Sequence, residues 1–364
     1  MSWFWVFVGF CLLIVLHEAG HFFAAKATGM RVERFFLFFG PTIWSIKRGE
    51  TEYGVKAIPI GGYVKITGMN PEEDVPPEVA HRAYYRQDIW KRIVVVAAGP
   101  AVNIVLAFAI LFGVFWGFGQ AERTPQVEEI SQGTPAAAVL KPGDVIVAVD
   151  GNRYSEIGQE ERLVKFIEDV ASHKCTGKQT DGCVATKPVE IVVRRSGNLE
   201  TFSIKPRYDD EVKRAVIGFK YGERNIDISA GAAAAEAGDA IWEVATGTVH
   251  VFTHLFEAEQ REQVSGVVGI SDVGHQVVEE SLERALLLLA FVSLSLGLVN
   301  LLPILPLDGG HIFWSLVEKF RGRPVSLRVM ERATAVGIAL VLMLFFLGLS
   351  NDIGRITGEG FEVR

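Results

Sequence analysis

The first residues of the chain, 2 to 25, form an almost uninterrupted apolar run that contains the motif His17-Glu18-Ala19-Gly20-His21. A run of this length predicts a transmembrane helix. Histidines four residues apart share one face of a helix, so His17 and His21 can bind one metal ion, with Glu18 close to it. In sites of this kind zinc polarises the scissile carbonyl and the glutamate acts as general base. The motif indicates peptide-bond hydrolysis.

The motif is short enough to arise by chance, so its surroundings decide how it is interpreted. Each ionisable group costs roughly 2.5–3.5 kcal/mol at the centre of a bilayer and needs a partner or a function there. Three such groups in one apolar run therefore favour a bound metal. A cleaved signal peptide is disfavoured, because the start of the chain lacks a positive region and a small-residue cleavage site.

The composition fits a membrane protein with a solvated part, because 49% of the 364 residues are hydrophobic and 22% are charged. A net charge of -7 and the lack of a glycine-rich phosphate loop argue against nucleic-acid or nucleotide chemistry. Three cysteines indicate neither a disulfide framework nor a cysteine-based zinc module.

Residues 29 to 66 have the alternation and the Gly and Pro breaks of β structure. Backbone of this kind at membrane depth must be sheltered by protein or water, which predicts a re-entrant or interfacial hairpin beside the metal helix. A cytoplasmic hairpin without a catalytic part is the alternative. A free edge, placed at Val55 to Ile58, is predicted to pair with an unwound substrate by strand addition.

Three further apolar runs predict three more spans, at residues 93–119, 284–302 and 333–349. Basic residues precede the second span and the last one, so both of these loops are expected in the cytoplasm. Both termini, and the domain between the second and third spans, are then expected outside. Asn103 in the second span is expected to face a polar partner or a helix interface.

Residues 124–207 indicate a soluble α/β module, with a short helix at 135–140, a turn at Pro142-Gly143-Asp144 and a hairpin turn at Asp150-Gly151. A helix over 159–171 and strands at 188–195 and 199–205 are predicted to follow. The stretch Gly133 to Gly151 resembles the PDZ domains of bacterial membrane-associated proteases, which bind peptides by strand addition. Cys175 and Cys183 lie in an insertion, and they are predicted to form a local disulfide if the module is outside the cytoplasm.

The third span ends in Asn300-Leu-Leu-Pro-Ile-Leu-Pro-Leu-Asp308-Gly-Gly-His311, where the prolines break the helix. A carboxylate at such a break needs a partner. Asp308 is therefore predicted as the third metal ligand, since two histidines and one carboxylate leave the open position of a catalytic zinc site. Its alternative role is a helix N-cap. Asn300 is predicted to bind substrate, with a structural role as the alternative, and His311 to lie near the site without being a ligand.

One further histidine pair, His250 and His254, lies in the stretch 231–262, which is typical of an amphipathic or interfacial helix. The two are predicted to form part of a polar helix face.

Together these parts resemble the site-2 protease family of intramembrane zinc metalloproteases (peptidase M50 type), in its PDZ-containing bacterial branch that includes the regulator of sigma-E protease. The resemblance rests on the His17–His21 motif, Gly61-Gly62-Tyr63-Val64-Lys65, the PDZ-like module, Ser265-Gly-Val-Val-Gly-Ile270, and Asn300 to Gly309. It implies that His17, His21 and Asp308 bind Zn²⁺, that Glu18 is the base, and that Asn300 helps to hold the substrate.

The resemblance also implies a role in regulated intramembrane proteolysis in the bacterial inner membrane. Substrates would be transmembrane segments of proteins such as anti-sigma factors, already cut once outside the membrane, and the active site would lie near the cytoplasmic side. Relatives of the sigma-E type often carry two PDZ domains, whereas this chain has room for one.

The predicted fold class is a polytopic α-helical membrane protein with four transmembrane helices, a re-entrant β region and one PDZ-like α/β domain. The predicted divisions are 1–122, the first two spans with the β region; 123–208, the PDZ-like domain; 209–283, a linker with an interfacial helix; and 284–364, the last two spans. A membrane adaptor and an ion transporter are competing functions. The glutamate between the histidines argues against the first, and the absence of an inverted repeat argues against the second.

Overall fold

A computed structural model describes residues 2–70, 73–153, 159–210, 212–254 and 281–357. The chain divides into two compact units, Met1–Gly117 with Ser229–Arg364, and Phe118–Ile228. We call the first the helical unit and the second the 118–228 domain. The Ser265–Ile270 motif lies outside the described residues.

Helices dominate the helical unit. Their bounds are α1, Ser2–Ala27; α2, Ile89–Phe118; α4, Ala230–Thr253; α5, Leu282–Asn300; α6, Asp308–Arg321; and α7, Leu327–Thr357. Four of them, α1, α2, α5 and α7, contain segments long and apolar enough to cross a membrane, at Phe4–Ala27, Ile89–Phe118, Leu282–Asn300 and Leu327–Gly354. Protein buries only a minority of the residues in each segment. Their lengths and composition are those of a membrane protein.

Residues that follow α1 form a small antiparallel sheet from two long, bent strands, β1 (Val32–Arg48) and β2 (Thr51–Ile66). Phe36 pairs with both Gly54 and Tyr63, and Val55 pairs with both Leu37 and Trp44. The bent strands therefore form four rows, in the order 42–48, 51–58, 32–39 and 62–66. The expected free edge at Val55 is wrong, because Val55 has partners on both sides. The edge rows are instead 42–48 and 62–66.

Charged side chains fasten this sheet to the end of α1. Glu50, in the turn between β1 and β2, accepts hydrogen bonds from Lys26 Nζ at 2.8 Å and from Arg82 Nη1 at 2.7 Å. On the other side of the sheet, Lys65 Nζ lies 2.8 Å from a carboxylate oxygen of Glu33. The Lys26–Glu50 pair holds the sheet beside the helix that carries the metal motif, and the Lys65–Glu33 pair joins β2 to β1.

The 118–228 domain contains the antiparallel strands β3 (Gln120–Ile130), β4 (Val145–Val149), β5 (Asn152–Arg153), β6 (Val189–Arg195), β7 (Asn198–Ile204) and β10 (Phe219–Ile226), the small pair β8 (Arg207–Asp209) and β9 (Arg214–Val216), and the helix α3 (Gln159–Ala171). The main sheet has the order β10-β3-β4-β6-β7, with β5 on β4. Phe166 and Val170 of α3 pack on a core of strand residues that includes Val127 and Ile191.

The division predicted at residue 208 falls short of this domain. Residues 209–228, predicted as linker, supply β10, which pairs with β3 through Phe219↔Ile130 and Ile226↔Gln120. β10 is an edge strand of mixed polarity, so its residues lack the apolar alternation by which a strand is recognised. Cys175 and Cys183 form a disulfide, as expected.

Candidate active site

The metal motif lies in the middle of the packed helices, where small residues let the backbones approach closely. A Cβ on Gly20 would collide with the carbonyl of Ala98 in α2, and a Cβ on Gly99 would overlap with the imidazole of His21. The glycine at each position therefore allows α1 and α2 to touch at the level of the histidines.

Asp308 reaches the histidines from the first residue of α6. The N-cap of α6 is Leu307, and Asp308 is the first residue inside the helix, so the N-cap alternative is wrong. A Cβ on Gly309 would collide with the carbonyl of Leu301, which shows how tightly this turn is packed. At the other end of α6, Glu318 accepts two hydrogen bonds from Arg92 of α2, at 2.8 and 3.0 Å. This ion pair, which sequence reasoning missed, fixes α6 against α2.

Three side-chain atoms meet at almost equal distances. His17 Nε2 and His21 Nε2 are 3.3 Å apart, and each lies 3.3 Å from Asp308 Oδ2. The side chains are largely buried, with exposed fractions of 9%, 12% and 17%. Among the described residues, this is the one group of three or more His, Cys, Asp or Glu side chains arranged to hold a metal ion.

The triangle has the dimensions of a zinc site. Ligand atoms about 2.0–2.1 Å from a tetrahedral zinc lie roughly 3.3 Å from one another. His21 Nδ1 is 2.8 Å from the carbonyl oxygen of Val95, which fixes the proton on Nδ1 and leaves the Nε2 lone pair for a metal. Asp308 Oδ2 is buried and has no hydrogen-bond partner within the described ranges. These donors fit Zn²⁺, and they leave a fourth position open.

Glu18 belongs to α1, and its side chain lies against the edge of the small sheet. A Cβ on Gly62 would stand 3.2 Å from Glu18 Cγ. The β region therefore flanks the site, as expected from the sequence, and the row that flanks it is the edge row 62–66.

The other residues singled out in the sequence do not belong to the triangle of ligand atoms. Asn300 is the last residue of α5, and its Nδ2 donates to the carbonyl of Leu296 at 2.9 Å. His311 lies one turn after Asp308 in α6. His250 and His254 are neighbours in and just after α4, with ring centroids 4.2 Å apart, and no third ligand joins them in the described part of the chain.

Comparison with known proteins defines the class. The model of peptidase family M50 matches residues 5–344. The zinc metalloprotease Rip1 of Mycobacterium tuberculosis is 32% identical, over 93% of this chain and 94% of its own length. Putative zinc metalloproteases of Rhizobium meliloti and Clostridium acetobutylicum are each 30% identical over 95% of both chains. Among solved structures, the PDZ domain of an SdrC-like protein of Listeria monocytogenes matches 26% of this chain and 84% of that one, at 26% identity and a TM-score of 0.20.

The protein is thus a zinc metallopeptidase with Zn²⁺ as its cofactor. It belongs to peptidase family M50.

Proposed function

We propose that this protein is an intramembrane metalloprotease in which His17, His21 and Asp308 bind the zinc and Glu18 is the general base. The observation that carries the proposal is the triangle of 3.3 Å distances, because its two histidines lie in a helix apolar enough to cross a membrane. Zinc in such a site polarises the scissile carbonyl. Glu18 accepts the proton of the attacking water and delivers it to the departing amine.

The edge of the small sheet is the proposed binding surface for the substrate. A helical substrate hides its peptide bonds within its own hydrogen bonds, so it must be extended before attack. Among the described residues, the row 62–66 carries no strand on its outer side and lies against Glu18. We propose that an extended substrate segment pairs with this row, which would bring its peptide bonds to the base. Asn300, at the end of α5, is proposed to contact the same segment.

The biological setting is also proposed. By family resemblance, the substrates are membrane-spanning segments of proteins such as anti-sigma factors, released by a first cut outside the membrane. Four spans with basic loops on one side support a bacterial inner-membrane protein whose termini and 118–228 domain face away from the cytoplasm. The active site then lies near the cytoplasmic side, and the 118–228 domain, PDZ-like in sequence, binds a peptide or protein ligand.

The direct test is Glu18→Gln, assayed by cleavage of a transmembrane reporter in vesicles and by zinc content. The variant should keep one zinc per chain and lose cleavage, since glutamine keeps the shape of the side chain without its basicity. Cleavage at the wild-type rate would refute the role of Glu18. Loss of zinc would show that Glu18 has a role in metal binding.

A further inference from the structure

Asn103 of α2 is a buried amide for which the proposed mechanism gives no role. Its exposed fraction is 0%, and neither Oδ1 nor Nδ2 has a hydrogen-bond partner among the described residues. A buried amide is normally paired. Asn103 also lies in a helix whose other buried residues are mostly apolar, so a polar side chain at this position needs an explanation.

The backbone and Cβ of Asn103 lie against α5. Ser293 Oγ donates to the backbone carbonyl of Asn103 at 2.9 Å, and a Cβ on Gly297 would stand 3.3 Å from Asn103 Cβ. The packing of α2 on α5 therefore uses the main chain of Asn103 and leaves the amide without a structural task.

Helix geometry places residue 103 of α2 at the level of His17 on α1. Contacts between the two helices run from Gly20 against Ala98 to His21 against Val95, so α1 and α2 are antiparallel. Asn103 is one turn beyond Gly99, which touches His21, and His17 is one turn before His21. In antiparallel helices, one turn towards the N-terminus of α1 and one turn towards the C-terminus of α2 run in the same direction in space. His17 and Asn103 therefore come opposite each other.

His17 has a matching need. Its Nδ1 is buried and has no partner in the described part of the chain. When a neutral imidazole binds metal through Nε2, its Nδ1 carries a proton and needs an acceptor. His21 has one in the Val95 carbonyl, 2.8 Å away. An amide oxygen is an acceptor of the same kind.

We propose that Asn103 Oδ1 accepts the Nδ1–H hydrogen bond of His17 in the zinc-bound protein, directly or through one buried water. Asn103 is then a positioning residue that acts on zinc through His17. This inference rests on the proposed function, because it takes His17 to be a zinc ligand.

The test compares the rate of zinc loss to a chelator in full-length protein. Asn103→Leu keeps the volume of the side chain and removes its polarity, and zinc should leave about 10- to 100-fold faster, the usual effect of removing a partner of a ligating histidine. The thermal unfolding temperature of the zinc-free variant should stay at or above that of wild type, because an unpaired amide has been removed. Asn103→Asp keeps an acceptor oxygen and should stay within roughly threefold of the wild-type rate.

The matched control is Ser293→Ala, which removes the hydrogen bond from α5 to the backbone carbonyl of Asn103 and should leave zinc loss unchanged. A wild-type rate in Asn103→Leu, or an equal acceleration in Ser293→Ala, would overturn the proposal. If the leucine variant does not accumulate, more than tenfold acceleration in Asn103→Asp would also overturn it. Failure of the proposed function is recognised separately, because His17→Ala would then retain zinc.

Discussion

The two units differ in how far their buried polar groups are hydrogen-bonded. In the 118–228 domain, Asp144 is 1% exposed and fully paired: its carboxylate receives two hydrogen bonds from Arg195, each of 2.7 Å, and one from the backbone N–H of Lys141. In the helical unit, His17 Nδ1, the two polar atoms of the Asn103 amide and Asp308 Oδ2 are buried and have no hydrogen-bond partner among the described residues. An unpaired buried polar group costs about 1–3 kcal/mol. His17 and Asp308 belong to the triangle of side chains that could hold a metal ion, so unpaired atoms on these two residues are expected if the helical unit is built to bind zinc.

The largest expected effect comes from displacing one residue of the triangle without substituting it. Gly99→Ala places a methyl group where the His21 imidazole lies, so His21 must move. A displacement of about 1 Å at a catalytic centre can reduce activity ~100-fold, and zinc affinity should fall with it. Reporter cleavage and zinc content measure both effects.

The control for Gly99→Ala is on the same helix. Gly113→Ala adds the same methyl group to α2 at a position where nothing from the rest of the described chain lies within 4 Å. It should keep wild-type zinc content and activity. Equal losses in both variants would show that α2 is merely intolerant of substitution and that the contact with His21 has no special importance.

A smaller effect, of opposite kind, is expected in the 118–228 domain. Asp144→Ala leaves Arg195 without its main partner, and breaking such a buried pair costs about 3 kcal/mol. Hydrogen exchange of the β4 and β6 amides in the full-length protein should accelerate, while zinc content stays at one per chain. Glu200→Ala removes a more exposed partner of Arg195 and should cost less than about 1 kcal/mol. Zinc loss in Asp144→Ala would contradict the separation of stability from metal binding.

The smallest effect concerns the charged fastening of the β1–β2 sheet. Hydrogen bonding to the Arg82 guanidinium, with help from Lys26, lowers the pKa of Glu50 from its ordinary 4.5 to about 2. A carboxylate with a lowered pKa stabilises the fold above its unfolded-state pKa and loses that contribution as pH falls through the folded-state value. The stability difference between wild type and Glu50→Gln should therefore be constant above pH 5 and shrink between about pH 4.5 and 2. Thermal unfolding in detergent at stepped pH measures it, and a difference that does not change with pH would contradict this role of Glu50.

Much of this architecture is visible in the sequence, for physical reasons that apply to some residues and not to others. The apolar runs and the spacing of His17 and His21 follow from helix geometry, and the carboxylate at a proline break pointed to Asp308. By contrast, the acceptor for His21 is the backbone carbonyl of Val95, which has no side-chain signature. The Arg92–Glu318 pair joins residues far apart in the chain, and neither residue differs in sequence from an ordinary surface charge.

The strand rows were the hardest part to predict. Periodicity identifies residues 32–66 as β structure, but it does not say which rows are paired on both sides. The bend of β2 at residues 59–61 carries the chain across row 32–39, which then lies between 51–58 and 62–66, so the row next to Glu18 comes from the end of the segment. The boundary of the 118–228 domain was missed for a similar reason, because β10 is recognisable only through its pairing with β3.

The measurement that tests the central claim most directly is X-ray absorption at the zinc edge of the purified full-length protein, with Asp308→Ala alongside. If His17, His21 and Asp308 bind the zinc, the wild-type spectrum should show two imidazole nitrogens and oxygen ligands at about 2.0–2.2 Å and no sulfur. Asp308→Ala should show altered oxygen scattering or have lost its zinc. Sulfur scattering near 2.3 Å, which would point to the free thiol of Cys11 in α1, or an unchanged spectrum in Asp308→Ala, would contradict it.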